Sequence, residues 1–180
     1  MSAGQAFVGI DAGTTGCTVM IFDENGKRLG QGYQEYPCTS PRAGWIEQDA
    51  EQVWDGICAA SKAAVAAAAL PASAYRSVGL SSQRGTILML DENKNNLMPS
   101  VVWNDGRALK YQEEFGKEIS PEDYQTHTGM QLSPLWSAAK IPGCGTTTRT
   151  CSGAPAGSPT ARSTSSTAWA PTSGSPIRPR

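Results

Sequence analysis

Asp11, Gly13, Thr14 and Thr15 stand together at the end of the apolar run Phe7-Val8-Gly9-Ile10. Their types suit phosphate chemistry. Gly13 lets the backbone approach an anion closely, and the two threonine hydroxyls add donors to the N–H groups of the turn. A carboxylate at the base of such a turn lies within reach of a Mg²⁺ carried by phosphates, since Mg²⁺ takes a few carboxylates together with phosphate oxygens and water. Asp11 is therefore the candidate metal ligand, with Gly13, Thr14 and Thr15 as the candidate phosphate cradle. An ordinary β-hairpin turn uses the same residue types, so the turn alone leaves both readings open.

The elements that must position this turn are legible in the surrounding pattern. Strands are predicted at Phe7–Asp11, Thr18–Phe22 and Leu29–Tyr36, the first pair joined across Gly16 and the second across Asn25-Gly26, a strong hairpin signal. Asp49 followed by Gln52 makes a capping-box pattern. Val53, Trp54, Ile57, Ala60, Ala64, Val65 and Ala68 then recur at helical spacing until Pro71. Further strands are predicted at Ser77–Ser82, Thr86–Asp91 and Ser100–Trp103, with helices near Arg107–Phe115 and Pro121–His127. Strands, a helix, then strands and helices again predict an α/β domain over residues 6–141, with a mixed sheet and flanking helices.

Composition narrows the function classes. A formal net charge of −1 over 180 residues offers no basic field for nucleic acid or an anionic membrane, so a small-molecule ligand is expected. The first residues lack a charged region followed by an apolar one, and no stretch is long enough to span a bilayer; the expected location is the cytoplasm. Five cysteines without a C-x-x-C pair, and a single histidine, His127, remote from them, predict free thiols.

At Pro142 the composition changes abruptly. From there to Arg180 the chain has no Asp, Glu or Lys, and only Trp169 and Ile177 are large and apolar. Such a segment cannot bury enough apolar surface to offset its ordering entropy, so residues 142–180, like residues 1–5, are expected to be disordered. The residues in excess are those with G/C-rich codons. Read one frame over with suitable wobble bases, Ala168 to Arg180 spells Leu-Gly-Ala-Asp-Glu-Trp-Val-Thr-Asp-Pro-Ala-Ser, and Gly143 to Gly153 spells a polar helix continuing from Lys140. A frame change near Pro142 is expected.

Five ordered blocks give residues 7–141 a resemblance to the amino-terminal domain of the FGGY carbohydrate kinases, which include glycerol, xylulose and ribulose kinases. They are Gly9-Ile10-Asp11-Ala12-Gly13-Thr14-Thr15, Gly44-Trp45-Ile46-Glu47-Gln48-Asp49 leading to Trp54, Gly79-Leu80-Ser81-Ser82-Gln83-Arg84, Val102-Trp103-Asn104-Asp105-Gly106-Arg107, and Thr128-Gly129-Met130. The resemblance implies an actin-like ATPase domain of ribonuclease-H-like fold, incomplete here. It implies transfer of the ATP γ-phosphoryl group, with Mg²⁺, to a hydroxyl of a sugar or polyol. It assigns Gln83, Arg84, Trp103, Asn104 and Asp105 to the substrate wall, where amide, guanidinium and carboxylate bond hydroxyls and the indole faces the sugar carbons. From spacing alone, an Arg84–Asp105 ion pair and a core Trp103 fit equally well.

Departures from the pattern matter. Glycerol kinases carry an acidic residue after the Gln-Arg pair and an aromatic after the Pro of the Thr-Gly block, where this chain has Gly85 and Leu135. A pentulose-like substrate is thus expected in preference to glycerol, although Gln83-Arg84 is not the Gln-Met-His that xylulose kinases often show. The family's catalytic base, an Asp preceded by Gly in the second domain, has no counterpart in these residues, so no catalytic residue is assigned and an inactive fragment is expected. A non-catalytic sugar- or phosphate-binding module is the alternative. A different actin-like ATPase, such as a chaperone or an acetate-type kinase, fits less well, because it shares the phosphate loop but not the sugar wall.

Overall fold

The computed structural model of the chain describes residues 5–137, 139–141, 144 and 160–163. Two four-stranded sheets carry the architecture. In the first, β1 (Ala6–Ala12), β2 (Gly16–Asp23) and β3 (Arg28–Glu35) form an antiparallel meander, and β5 (Tyr75–Ser82) lies parallel to β1, giving the order β3-β2-β1-β5. The hairpin predicted at Asn25-Gly26 is present. Asp23 Oδ1 accepts from the N–H groups of Asn25 and Lys27, each at 2.9 Å, and Gly26 takes φ +79°.

Helix α1 (Ala50–Ala68) crosses β2 and β3. Asp49 caps it as predicted, its side chain accepting from the N–H groups of Glu51 and Gln52. The helix ends earlier than Pro71 requires: Ala69 takes the left-handed conformation, φ 51°, and returns its N–H to Val65 O. Its buried face also differs from the predicted stripe. Gly56, Ala60 and Ala64 are buried, whereas Trp54 is 60 % exposed and Val65 is exposed. The reason lies in β3, where Gly30 and Gly32 bring the strand so near the helix that only small residues fit between them. A Cβ on Gly32 would overlap the Ala60 carbonyl oxygen and sit 2.8 Å from Ala64 N. Gly32→Ala is accordingly expected to cost about 1–3 kcal/mol or more by forcing helix and strand apart. Urea denaturation checks this, and an unchanged midpoint would show that the contact yields freely.

Beyond the reach of α1, β5 is open. Val78 and Leu80 are 64 % and 66 % exposed, and β1 is its only strand partner among the described residues. A bare apolar edge of this kind is a site that further chain normally covers.

The second sheet has the order β4 (Glu47–Gln48), β7 (Ser100–Val101), β6 (Ile87–Leu90), β8 (Thr160–Ser163), all antiparallel. β4 is absent from the sequence reading, being two residues long and formed by pairing rather than by its own pattern. β8 is likewise unanticipated by the reading of the tail as disordered; it runs along β6 from Leu90↔Thr160 to Ile87↔Ser163, a backbone ladder that needs no large side chains. The other expectations for residues 142–180, Cys144 aside, lie outside the described residues, as do those for residues 1–4. Two helices follow β7: α2 (Leu109–Glu118), entered through a 3₁₀ turn at Gly106–Ala108, and α3 (Pro121–Thr128), capped by Ser120 and closed by Gly129 at φ 72°.

Candidate functional site

The parallel strands β1 and β5 end side by side at Ala12 and Ser82, and the ends of adjacent parallel strands are where open α/β sheets present ligand sites. An open cleft of about 440 Å³ lies there, lined by Asp11, Gly13, Thr14, Ser82, Gln83, Arg84, Trp103, Leu135 and Trp136. Five of the predicted positions near the turn and wall therefore meet with Asp11 in one place.

The turn Gly13–Gly16 is a hairpin turn, closed by Gly13 N–H to Gly16 O at 3.0 Å. It is also anchored from outside. Tyr36 Oη donates to Gly13 O at 2.8 Å, and Gln48 Nε2 donates to Thr14 O at 2.5 Å. Burial pushes the Tyr36 phenol up to about 12, with the neighbouring Cys17 and Asp11 adding to it, so it stays a donor at any physiological pH. The Thr14 hydroxyl joins turn to wall: it donates to Gln83 Oε1 at 3.1 Å and accepts from Trp103 Nε1 at 3.0 Å. Gln83 Nε2 completes the ring by donating to Gln48 Oε1 at 2.9 Å. The turn is thus a hairpin turn held in a fixed frame by Tyr36, Gln48, Gln83 and Trp103.

Trp103 is 39 % exposed at the cleft and is not a core residue. Arg84 is exposed, its Nη1 donating to Ser82 O at 2.9 Å.

Three predicted residues lie elsewhere. Thr15 faces a separate hollow with Glu35, Tyr36, Pro37 and Cys38. Asn104 is exposed on the loop after β7 and does not line the cleft. Asp105 is 2 % exposed with both oxygens engaged: Oδ2 accepts from Ile46 N–H at 2.6 Å, and Oδ1 from Arg107 N–H and Nε at 2.9 and 2.8 Å. Its partner is Arg107, not Arg84. A carboxylate so occupied does not bond a sugar hydroxyl.

Arg107 is the centre of a buried cluster. Its Nη2 also reaches Glu47 Oε1 at 2.6 Å, and its guanidinium lies 3.9 Å over the Trp45 ring, with Arg42 on the same ring at 4.7 Å. Burial works against its charge, but the hydrogen bonds and charges of Asp105 and Glu47 outweigh it and hold the pKa above the ordinary value. With Gly106 N–H to Gly44 O at 2.7 Å and Val102 N–H to Ile46 O at 3.0 Å, this cluster fastens the Gly44–Asp49 segment to the Val102–Arg107 segment. Two of the sequence blocks are therefore scaffold, and they place Gln48 and Trp103 at the turn.

Gln48, Tyr36, Trp136 and Lys140 carry no sequence signal of their own for a place at the site. Gln48 lies within the Gly44–Asp49 block, and nothing in its neighbours marks it as the residue that reaches Thr14. Gly85 has φ +69°, and a Cβ there would lie 2.8 Å from Leu135 O. The backbone of this chain closes the space that an acidic side chain would need.

Residues 6–142 match the FGGY family of carbohydrate kinases, N-terminal domain. The chain belongs to this family. Among curated FGGY relatives, the glycerol kinase of Haloferax volcanii is 34 % identical over 140 residues, 77 % of this chain and 28 % of that protein. Among solved structures, the xylulose kinase of Brucella ovis is similar at TM-score 0.70 and 29 % identity, over 76 % of this chain and 28 % of the other. The xylulose kinase of Rhodospirillum rubrum has the same TM-score at 24 % identity, again over 76 % and 28 %. The fold is that of the actin-like ATPases, and FGGY members are ATP-dependent sugar kinases. The chain spans just over a quarter of the length of the relatives it matches.

Proposed function

We propose that residues 6–141 form the sugar-facing part of a carbohydrate kinase that transfers the ATP γ-phosphoryl group to a hydroxyl of a sugar or polyol, a pentulose-like one in preference to glycerol. The observation that carries this reading is the Thr14 hydroxyl, which ties the phosphate-binding turn to Gln83 and Trp103 in one cleft with Arg84. Phosphoryl transfer depends on positioning and on neutralising charge, and a fixed turn beside a wall of hydroxyl-bonding groups supplies the first. The preference against glycerol is supported by Gly85, whose φ and the 2.8 Å at which a Cβ would meet Leu135 O disfavour the acidic side chain that glycerol kinases carry there.

Asp11 fits a role toward Mg²⁺ as a single ligand. It is exposed at the cleft, and among the described residues no group of three or more metal-binding side chains exists to cage an ion. That donor set suits a cation that keeps water and phosphate oxygens. The metal would neutralise phosphate charge; the residues of this chain orient the acceptor hydroxyl and hold the turn. Among the described residues, no helix is long and apolar enough to cross a membrane, and a cytoplasmic location remains part of this proposal.

The match to the family ends at residue 142, where the composition changes, which supports a frame change near Pro142 and an inactive 180-residue chain. Reading the encoding DNA downstream tests it: an open shifted frame is expected, and scattered stop codons would favour decay instead.

Arg84→Ala is expected to weaken D-xylulose binding by about ten- to a hundredfold, the equivalent of about 1.5–3 kcal/mol for a charged donor to a hydroxyl. Calorimetric titration of the chain with D-xylulose, D-ribulose and glycerol measures it. Unaltered affinity would remove Arg84 from the wall.

A further inference from the structure

Lys140 has 0 % exposure, and its ammonium donates to three backbone carbonyls: Gly85 at 2.9 Å, Trp103 at 2.6 Å and Leu135 at 2.8 Å. An ammonium has three donors and no acceptor, so this set saturates it. The three carbonyls belong to separate segments, namely the loop after β5, the loop after β7 and the Ser133–Trp136 turn. Each segment contributes cleft-lining side chains: Arg84, Trp103, and Leu135 with Trp136.

The neighbours of this ammonium do not explain it as a simple ion pair. Asp105 favours its charge but spends its oxygens on Ile46 and Arg107. Arg107 opposes the charge, and the buried Cys144 thiol lies in the same field, its own pKa pushed up to about 11 by burial first. Burial pulls Lys140 down to about 8. A buried cation held by neutral carbonyls alone is costly, and its best-attested use is to specify one arrangement of the groups around it.

We infer that Lys140 is the positioning residue of the substrate wall, its ammonium fixing the Gly85, Trp103 and Leu135 backbones so that Arg84, Trp103 and Leu135 face one ligand. The inference rests on the reading of the cleft as a sugar site. It also accounts for the close approach of Gly85 to Leu135, since both carbonyls converge on the same nitrogen.

Amide hydrogen exchange on the 180-residue chain tests it. The amides of Gln83, Asp105 and Trp136, bonded to Ala12 O, Val102 O and Ser133 O, report on the three segments. In Lys140→Met all three are expected to exchange about tenfold faster or more, while β1 and β2 are unchanged. Val19→Ala, which loosens the core of the first sheet that also holds Ala12, serves as the comparator and should leave the Asp105 and Trp136 amides as they are. Lys140→Arg, with charge and donors but a different shape, should show the same pattern at smaller amplitude, and carries the test if Lys140→Met does not fold. Unchanged exchange at these amides, or a uniform rise across the chain in both variants, overturns the inference. D-xylulose affinity should fall about tenfold in Lys140→Met and not in Val19→Ala. Failure of D-xylulose to bind the unaltered chain counts against the sugar reading, and the exchange pattern still decides the role of Lys140.

Discussion

Arg107→Met is expected to lower stability by about 3–5 kcal/mol, the cost of leaving buried charge without its partner. Asp105 and Glu47 are 2 % and 9 % exposed, and Arg107 supplies hydrogen bonds to both at 2.6–3.1 Å. Methionine fills much of the volume and keeps contact with Trp45, so the loss reports charge and hydrogen bonding more than a cavity. Because these contacts fasten the Gly44–Asp49 segment to the Val102–Arg107 segment, the loss should also reach the cleft through Gln48 and Trp103. Chemical denaturation followed by tryptophan fluorescence measures the effect. Adding Glu47→Gln to Arg107→Met should return part of the stability, since one stranded charge is then removed. A loss under about 1 kcal/mol would mean that water reaches these carboxylates and that the cluster is not the fastening described.

The second large effect concerns the enzyme that the proposed change of frame near Pro142 would restore. Asp11→Asn there is expected to lower kcat by about 10²–10³ with sugar affinity nearly unchanged, because the carboxylate acts on the phosphate side of the site. The substitution keeps the shape of the side chain, and Asp11 is exposed at the cleft, so the fold should tolerate it. Arg84→Ala acts in the opposite sense, on binding. A fall in D-xylulose affinity without a fall in kcat for Asp11→Asn would place Asp11 in the sugar wall.

What the sequence made legible follows local chemistry. Asp49 announces the start of α1, and Asn25-Gly26 the turn between β2 and β3. Each of these is decided within a few residues. The errors arise where distant segments decide. Trp54 fits a helical stripe, yet Gly30 and Gly32 on another strand choose the alanine face instead. Asp105 has the chemistry of a sugar ligand, and only the fold reveals that Ile46 and Arg107 consume it. Lys140 carries no local mark at all, since its three acceptors are backbone carbonyls lying up to 55 positions from it in sequence. Asp11, Gly13, Thr14, Gln83, Arg84 and Trp103 were legible as a set because the family resemblance supplies the long-range information that periodicity lacks.

The measurement that bears most directly on the central claim is ADP release from ATP by the frame-restored enzyme, with D-xylulose, D-ribulose and glycerol offered in turn. The account predicts release with a pentulose, little with glycerol, and none from residues 1–180 alone, in which no Asp follows a Gly. No release with any sugar or polyol from a folded, frame-restored protein would contradict it, as would turnover by the 180-residue chain that disappears in Asp11→Asn.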